Sequence, residues 1–140
     1  MTDPPSAGEP VVVDASALVE LLTRTPTGGA VARRLASVAP IAPDIIDAEV
    51  ASSLRRQQLW GGLDEPEVRD ALDLLVDWPV PRVPTRLLVR ASRRWWGNVS
   101  SCDALYLAVA RAAGASVLTC DGRLSRAPGT GVPVENVRVT

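Results

Sequence analysis

Three consecutive β-branched residues, Val11, Val12 and Val13, are stopped by an acid, Asp14, and followed by apolar residues at helical spacing (Ala17, Leu18, Leu21, Leu22). A run apolar at every position is a short strand buried on both faces. The switch in periodicity places Asp14 where a central strand ends and its helix begins. Ligands of open parallel sheets bind just outside the carboxyl ends of the strands. A carboxylate is costly to desolvate there and is a poor packing element. Its simplest structural use is to cap the following helix through its side-chain oxygen. The choice between cap and ligand site turns on whether other acids reach the same edge.

One does so by the same pattern. Ser116-Val117-Leu118-Thr119-Cys120-Asp121 is again a short apolar strand ending in an acid, with a turn at Gly122. In a parallel sheet Asp14 and Asp121 lie at one edge. Two further acids fall in early helical turns. Ser100 fits an N-cap, which puts Asp103 in the first turn of an apolar helix that runs to Ala113 and ends at Gly114. Dipole stabilisation of about 0.3–1 kcal/mol is enough to account for an acid there. Ile46, Val50 and Leu54 mark the inward stripe of an earlier helix, and Glu49 borders it, a position that also suits a solvated edge. Asp44 and Asp47 in the same segment are read as its N-cap and its first-turn acid.

The rest of the chain fills in an alternation of strands and helices. Met1 to Pro10, rich in Pro, Gly and Ser, is read as a mobile tail, with one domain from residue 11 to residue 140. Thr25 to Gly29 reads as a turn, Ala30 to Val38 as a short helix, and Ile41 to Pro43 as an extended piece. Gly61-Gly62 is a break. Asp64 opens a capping box with Glu67, starting a helix to about Asp77 with Val68, Ala71, Leu72 and Leu75 inward. Val80 to Pro84 suits an edge strand because of its prolines. Thr85 to Trp96 reads as a helix with Leu88, Ala91 and Trp95 on one side. Arg86, Arg90, Arg93 and Arg94 lie on the other, as a solvated face or as a track for a phosphate backbone. Val132 to Val139 supplies a last strand. Strands alternating with helices give an α/β fold, a parallel sheet with helices on both faces.

Absences narrow the chemistry. The 140 residues contain no His, and every basic residue is Arg. Ser-His-Asp and Cys-His catalysis, His-ligated zinc and lysine-based chemistry are therefore closed. So are a P-loop and a receiver domain, which need Lys, and a dehalogenase-type phosphatase, which needs an acid where Ser16 stands. Cys102 and Cys120 are read as small buried fillers. The N-terminus has acids and prolines where a signal peptide needs basic and then apolar residues. No apolar run approaches the ~20 residues of a membrane span. A cytoplasmic protein without a membrane anchor is expected. Net charge is −1, so bulk charge does not draw the chain to nucleic acid.

If Asp14, Glu49, Asp103 and Asp121 converge, the pocket is strongly anionic. Two unit charges about 4 Å apart repel by roughly 4 kcal/mol at an effective dielectric of 20. Such a pocket protonates, opens or holds a cation. With only oxygen ligands on offer the cation is a hard one, Mg²⁺ or Mn²⁺.

The segments VVVDASALVELL, APDIIDAEVASSLRR, SSCDALYLAVARAAGA and SVLTCDGRL, in this order and spacing, resemble the PIN-domain nucleases. Among these they are most similar to the VapC-type ribonuclease toxins of bacterial toxin–antitoxin pairs. The resemblance runs from about Val11 to the C-terminus. It implies a PIN-like five-stranded parallel sheet and Mg²⁺- or Mn²⁺-dependent hydrolysis of RNA. The four family acids fall on Asp14, Glu49, Asp103 and Asp121 as catalytic metal ligands. Supporting hydroxyls fall on Ser16 and Thr119. Arg123 stands where some members carry a further acid or Asn. The resemblance also implies a homodimer and a cognate antitoxin that occupies the acidic site. The Arg86–Arg94 face is the expected RNA track. The rival reading is a catalytically silent PIN-like module that binds protein and keeps its acids for stability.

Overall fold

A computed structural model describes residues 8–139. Its centre is a five-stranded, all-parallel sheet in the order β3-β2-β1-β4-β5. The strands are β1 (Glu9–Val13), β2 (Val38–Pro43), β3 (Arg82–Val83), β4 (Ser116–Thr119) and β5 (Val134–Asn136). The helices are α1 (Ala15–Leu22), α2 (Pro26–Leu35), α3 (Ile46–Leu59), α4 (Glu65–Asp77), α5 (Val89–Ser92), α6 (Ser101–Ala113) and α7 (Gly122–Ser125). Tail residues 1–7 lie outside the described residues, while Glu9 and Pro10, also assigned to the tail from sequence, are part of β1.

β1 is central and buried on both faces, as its valine run requires. Val11 and Val13 pack with Leu18, Val31, Ile46, Val50, Leu54 and Leu75. Val12 points the other way, into Trp95, Tyr106, Leu107 and Val117. Helices α1 to α4 thus cover one face, and α6 with the segment before it covers the other. Strand order reverses beside β1, between β2 and β4. Such a switch point opens a crevice at the carboxyl edge.

Several local expectations are corrected. Thr25 to Gly29 is not a loop but the start of α2: Thr25 caps it by accepting from Gly28 N at 3.0 Å, and Pro26 takes its first position. Gly28 is there because α1 passes so close that a β-carbon would stand 2.0 Å from the Glu20 carbonyl oxygen. Thr85 to Trp96 is not one helix but a 3₁₀ turn, the short α5 and a second 3₁₀ turn (Arg93–Trp95). Its buried residues are Thr85, Ser92 and Trp95, with Ala91 exposed. Leu72 of α4 is likewise exposed. The capping box of α4, the Ser100 cap and the left-handed Gly114 stop of α6 all form.

Asp44 does not cap α3. Its Oδ1 accepts from Thr85 Oγ1 at 2.8 Å, and Ile45 holds the cap position without a side-chain bond. Asp47 pairs with Arg82 at 3.0 Å. Arg82 commits all five of its N–H donors: Nε and Nη2 to Asp47, and the rest to the carbonyls of Leu75, Trp78 and Val80. The side chain thereby closes the C-terminal end of α4 against β3 and α3.

Candidate metal centre

Asp14 stands at the carboxyl end of β1 and is 6% exposed. It holds the N-cap position of α1, yet its side chain makes no capping bond. Its Oδ2 accepts instead from Ser16 Oγ and Thr119 Oγ1, each at 2.7 Å. With their single protons given to Asp14, the two hydroxyls accept the amides of Cys120 and Asp121, each at 2.9 Å. Asp14 N donates to Leu118 O at 2.9 Å, extending the β1–β4 ladder by one rung. The ends of β1 and β4 are thus joined around one carboxylate oxygen.

The other acids arrive on separate elements. Glu49, in the first turn of α3, accepts from the Tyr106 hydroxyl at 2.7 Å. Asp103 lies in the first turn of α6, whose Ser100 cap accepts from Asp103 N at 3.1 Å. Asp121 caps α7 by accepting from Arg123 N at 2.9 Å, and the Arg123 guanidinium is 3.5 Å from its other oxygen. The turn carrying Asp121 is tied from outside by Arg138 Nε, which donates to Cys120 O at 3.1 Å, and by Val137 N, which donates to Thr119 O at 3.0 Å.

All four acids line one cavity of about 280 Å³, whose wall also includes Ser16, Ser53, Ser100, Arg56 and Arg123. Burial, set against the hydroxyls of Ser16 and Thr119, holds the Asp14 carboxyl above the usual carboxylate range, and the charge of Asp121 adds to the rise. Burial likewise raises Glu49, with Asp14 and Asp103 pushing further, and raises Asp103, with Asp14 and Asp121 pushing further. The same burial and charge push the Tyr106 phenol far up, so it stays a proton donor to Glu49.

The expectation that these carboxylates crowd onto one point is corrected in detail. Among the described residues no three acids stand close enough to hold one ion as their side chains lie. Asp14, Glu49 and Asp121 are each turned toward a hydrogen-bond donor at the cavity wall. The donor set nevertheless fits a hard divalent cation. It is all oxygen, it has four carboxylates, and burial together with mutual repulsion raises the proton affinity of Asp14, Glu49 and Asp103.

A model of the PIN domain matches residues 11–129, a span that includes all four acids. The chain belongs to the PIN domain family. Its relatives include Ribonuclease VapC3 of Mycobacterium tuberculosis, 44% identical over 125 residues that cover 89% of this chain and 91% of that protein. Ribonuclease VapC12 of the same organism is 33% identical and covered over 98% of its length, with 91% of this chain. Among solved structures, FitAcB from Neisseria gonorrhoeae has a TM-score of 0.60 at 18% identity, covering 91% of this chain and 97% of that one. VapBC2 from Rickettsia felis, bound to a DNA fragment from their promoter, also reaches 0.60, at 13% identity and 98% coverage of that chain. These structures establish a shared fold.

None of Arg86, Arg90, Arg93 and Arg94 lines the acid cavity of this PIN domain. Arg94 lies over the Trp95 ring at 5.1 Å, beside a separate apolar cavity. The cations at the acid cavity are Arg56 and Arg123. Arg56 was legible as the residue seven after Glu49 on the same helix, hence on the same face. Tyr106 was legible in the same way, one turn after Asp103. Cys120 is buried, its thiol pushed up to about 11 by that burial, whereas Cys102 is exposed and is no core filler. Among the described residues no helix is long and apolar enough to cross a membrane.

Proposed function

We propose that this PIN domain is a divalent-metal-dependent endoribonuclease, acting as the toxin of a toxin–antitoxin pair. One observation carries the reading. Asp14 is a buried carboxylate at the switch point of the sheet that caps nothing, and it shares its cavity with Glu49, Asp103 and Asp121 and with no His or Lys. The names of the relatives, VapC ribonucleases, point to the same chemistry.

Asp14, Glu49, Asp103 and Asp121 are the residues that would hold Mg²⁺ or Mn²⁺. That ion would supply a Lewis acid, making water acidic enough to attack phosphorus and offsetting charge on the leaving oxygen. The protein's own part is orientation. Ser16 and Thr119 hold Oδ2 of Asp14, and Tyr106 holds Oε1 of Glu49, so the other oxygen of each carboxylate is the one that would turn to the ion. Arg56 and Arg123 at the rim offer planar donor forks to the phosphates of RNA. Protein partners, a cognate antitoxin and a second copy of the chain, have apolar surface to cover, since Trp60, Val76 and Leu87 are all exposed.

The test is incubation of the purified protein with total RNA and Mg²⁺ or Mn²⁺, with EDTA as control, followed by mapping of the cut ends. Ends bearing a 5′-phosphate and a 3′-hydroxyl are expected. A 2′,3′-cyclic phosphate, or cleavage that survives EDTA, overturns the reading. Size-exclusion chromatography at several concentrations tests the dimer.

A further inference from the structure

A second cavity, of about 390 Å³, opens beside the acid cavity and is walled by Trp96, Gly97, Asn98, Val99 and Leu124, sharing Ser100, Asp103 and Arg123 with it. Two adjacent tryptophans meet opposite fates at its edge. Trp95 is 2% exposed and its Nε1 donates to Thr130 O at 2.7 Å, so it serves as an anchor. Trp96 is 52% exposed and packs in neither buried cluster. Leaving so much indole in water is unfavourable unless something covers it. The loop that carries it is already fixed: Asn98 N and Val99 N both donate to Trp95 O, at 2.9 and 3.1 Å. Gly97 leaves the wall open, since nothing lies within 4 Å of where its β-carbon would stand. Arg123, 87% exposed, stands at the junction of the two cavities with only a 3.5 Å contact to Asp121 restraining its guanidinium.

We infer that this second cavity is a base-binding subsite, in which Trp96 stacks on an unpaired base of the nucleotide next to the phosphate held at the acid cavity. The inference rests on the ribonuclease reading and adds where the strand runs. An aromatic face that is exposed, rigidly mounted and next to a guanidinium is the combination that binds single-stranded nucleic acid. Base stacking on an aromatic side chain is tolerant of sequence, and Asn98 adds one amide able both to donate and to accept at a base edge. The shared wall of Ser100, Asp103 and Arg123 makes the two cavities one continuous path. A folded protein partner is the weaker candidate occupant, because the wall is a concavity that is half polar and three of its residues, Ser100, Asp103 and Arg123, also line the acid cavity.

The experiment uses a single-stranded RNA oligonucleotide with one mapped cleavage site, and versions lacking the base on either side of that site. Binding is read by fluorescence anisotropy in EDTA, where no cleavage occurs, for the wild type, Trp96→Ala, Trp96→Phe and Gly97→Leu. Stacking is worth about 1–3 kcal/mol, so Trp96→Ala is expected to weaken binding roughly 5- to 150-fold, while Trp96→Phe stays within a few-fold of wild type. Gly97→Leu, which fills the cavity without meeting the protein, is expected to weaken binding as Trp96→Ala does. Removing the base on one side should cost the wild type the same factor and cost Trp96→Ala nothing further. Wild-type-like affinity in both Trp96→Ala and Gly97→Leu, or full additivity with base removal, overturns the subsite and leaves the nuclease reading intact. Failure of the wild type to bind any single-stranded RNA overturns the subsite, while the nuclease reading is judged separately by the cleavage assay with Mg²⁺ or Mn²⁺. A Trp96→Ala protein that keeps its RNA affinity but loses a protein complex assigns the surface to a partner and overturns the subsite.

Discussion

The carboxyl edge of the sheet carries two groups of acids that the sequence presents alike and the structure treats in opposite ways. Asp44 and Asp47 follow β2, and Asp14 and Asp121 follow β1 and β4. The first group is used up: Asp47 faces an arginine whose every donor is placed, and Asp44 takes the hydroxyl of Thr85. In the second group Asp14 is held by neutral donors, and among the described residues the one cation paired with either member is the mostly exposed Arg123. Position at a strand end therefore does not tell an acid left without a counter-charge from one whose charge is balanced. The charge balance around it does, because uncompensated charge is kept only where something else is to supply the balance.

The sharpest way to break this contrast is to neutralise one acid from each group. Asp14→Asn is expected to lower the RNA cleavage rate about 10³-fold, roughly 4 kcal/mol in the barrier, while the protein stays folded. Asp47→Asn is expected to leave the rate within about two-fold of wild type. Equal losses in the two variants would erase the distinction. Next in size is Arg82→Met, which leaves three carbonyls and Asp47 without their donor. A loss of about 2–4 kcal/mol in denaturant stability is expected, with cleavage by the remaining folded protein unchanged.

A third measurement adds the missing counter-charge. Mg²⁺ at about 100 times its dissociation constant should stabilise the wild type by ~2.7 kcal/mol in thermal or denaturant melts. Asp47→Asn should respond equally, and Asp14→Asn should lose most of the response. The smallest effect is that of pH on the metal-free protein. Asp14, Glu49 and Asp103 have raised carboxyls in the folded state, so the native protein binds more protons than the unfolded chain between the ordinary carboxylate range and the raised values. Their contribution to stability is then greatest at low pH and is lost as pH rises through that window. In EDTA the melting temperature is expected to rise as pH falls from neutrality toward the ordinary carboxylate range, and saturating Mg²⁺ should abolish the rise. A steady fall in EDTA would contradict it.

The strand-then-acid pattern at Val11–Asp14 and Ser116–Asp121 carried the sheet, its parallel direction and the shared edge, because burial on both faces imposes an unbroken apolar run. Caps were legible where a side chain and a helix start lie within three residues, as at Ser100 and Asp64. What escaped depends on contacts remote in sequence. Asp44 looked like a cap because Thr85 was out of view, and Ala91 looked buried because the path of Thr85–Trp96 is set by packing on α6 and not by its own periodicity. Gly28 was read as a turn residue although its reason is the α1 backbone beside it. The four acids were legible as a set. Their supports, Tyr106 on Glu49 and Arg56 at the rim, needed helical spacing to be applied from the acids outward.

The bond from Thr119 to Asp14 spans 105 positions of the chain. The bonds that join separate elements of the centre, from Thr119 to Asp14, from Cys120 N to Ser16 and from Tyr106 to Glu49, are all of this remote kind, and each needs the entropy of closing a long loop to be overcome first. A chain caught partway through folding therefore has helices but no assembled acid cavity. Under the proposed reading, activity begins only at the moment of completion, which is also the moment at which a partner has a finished surface to bind.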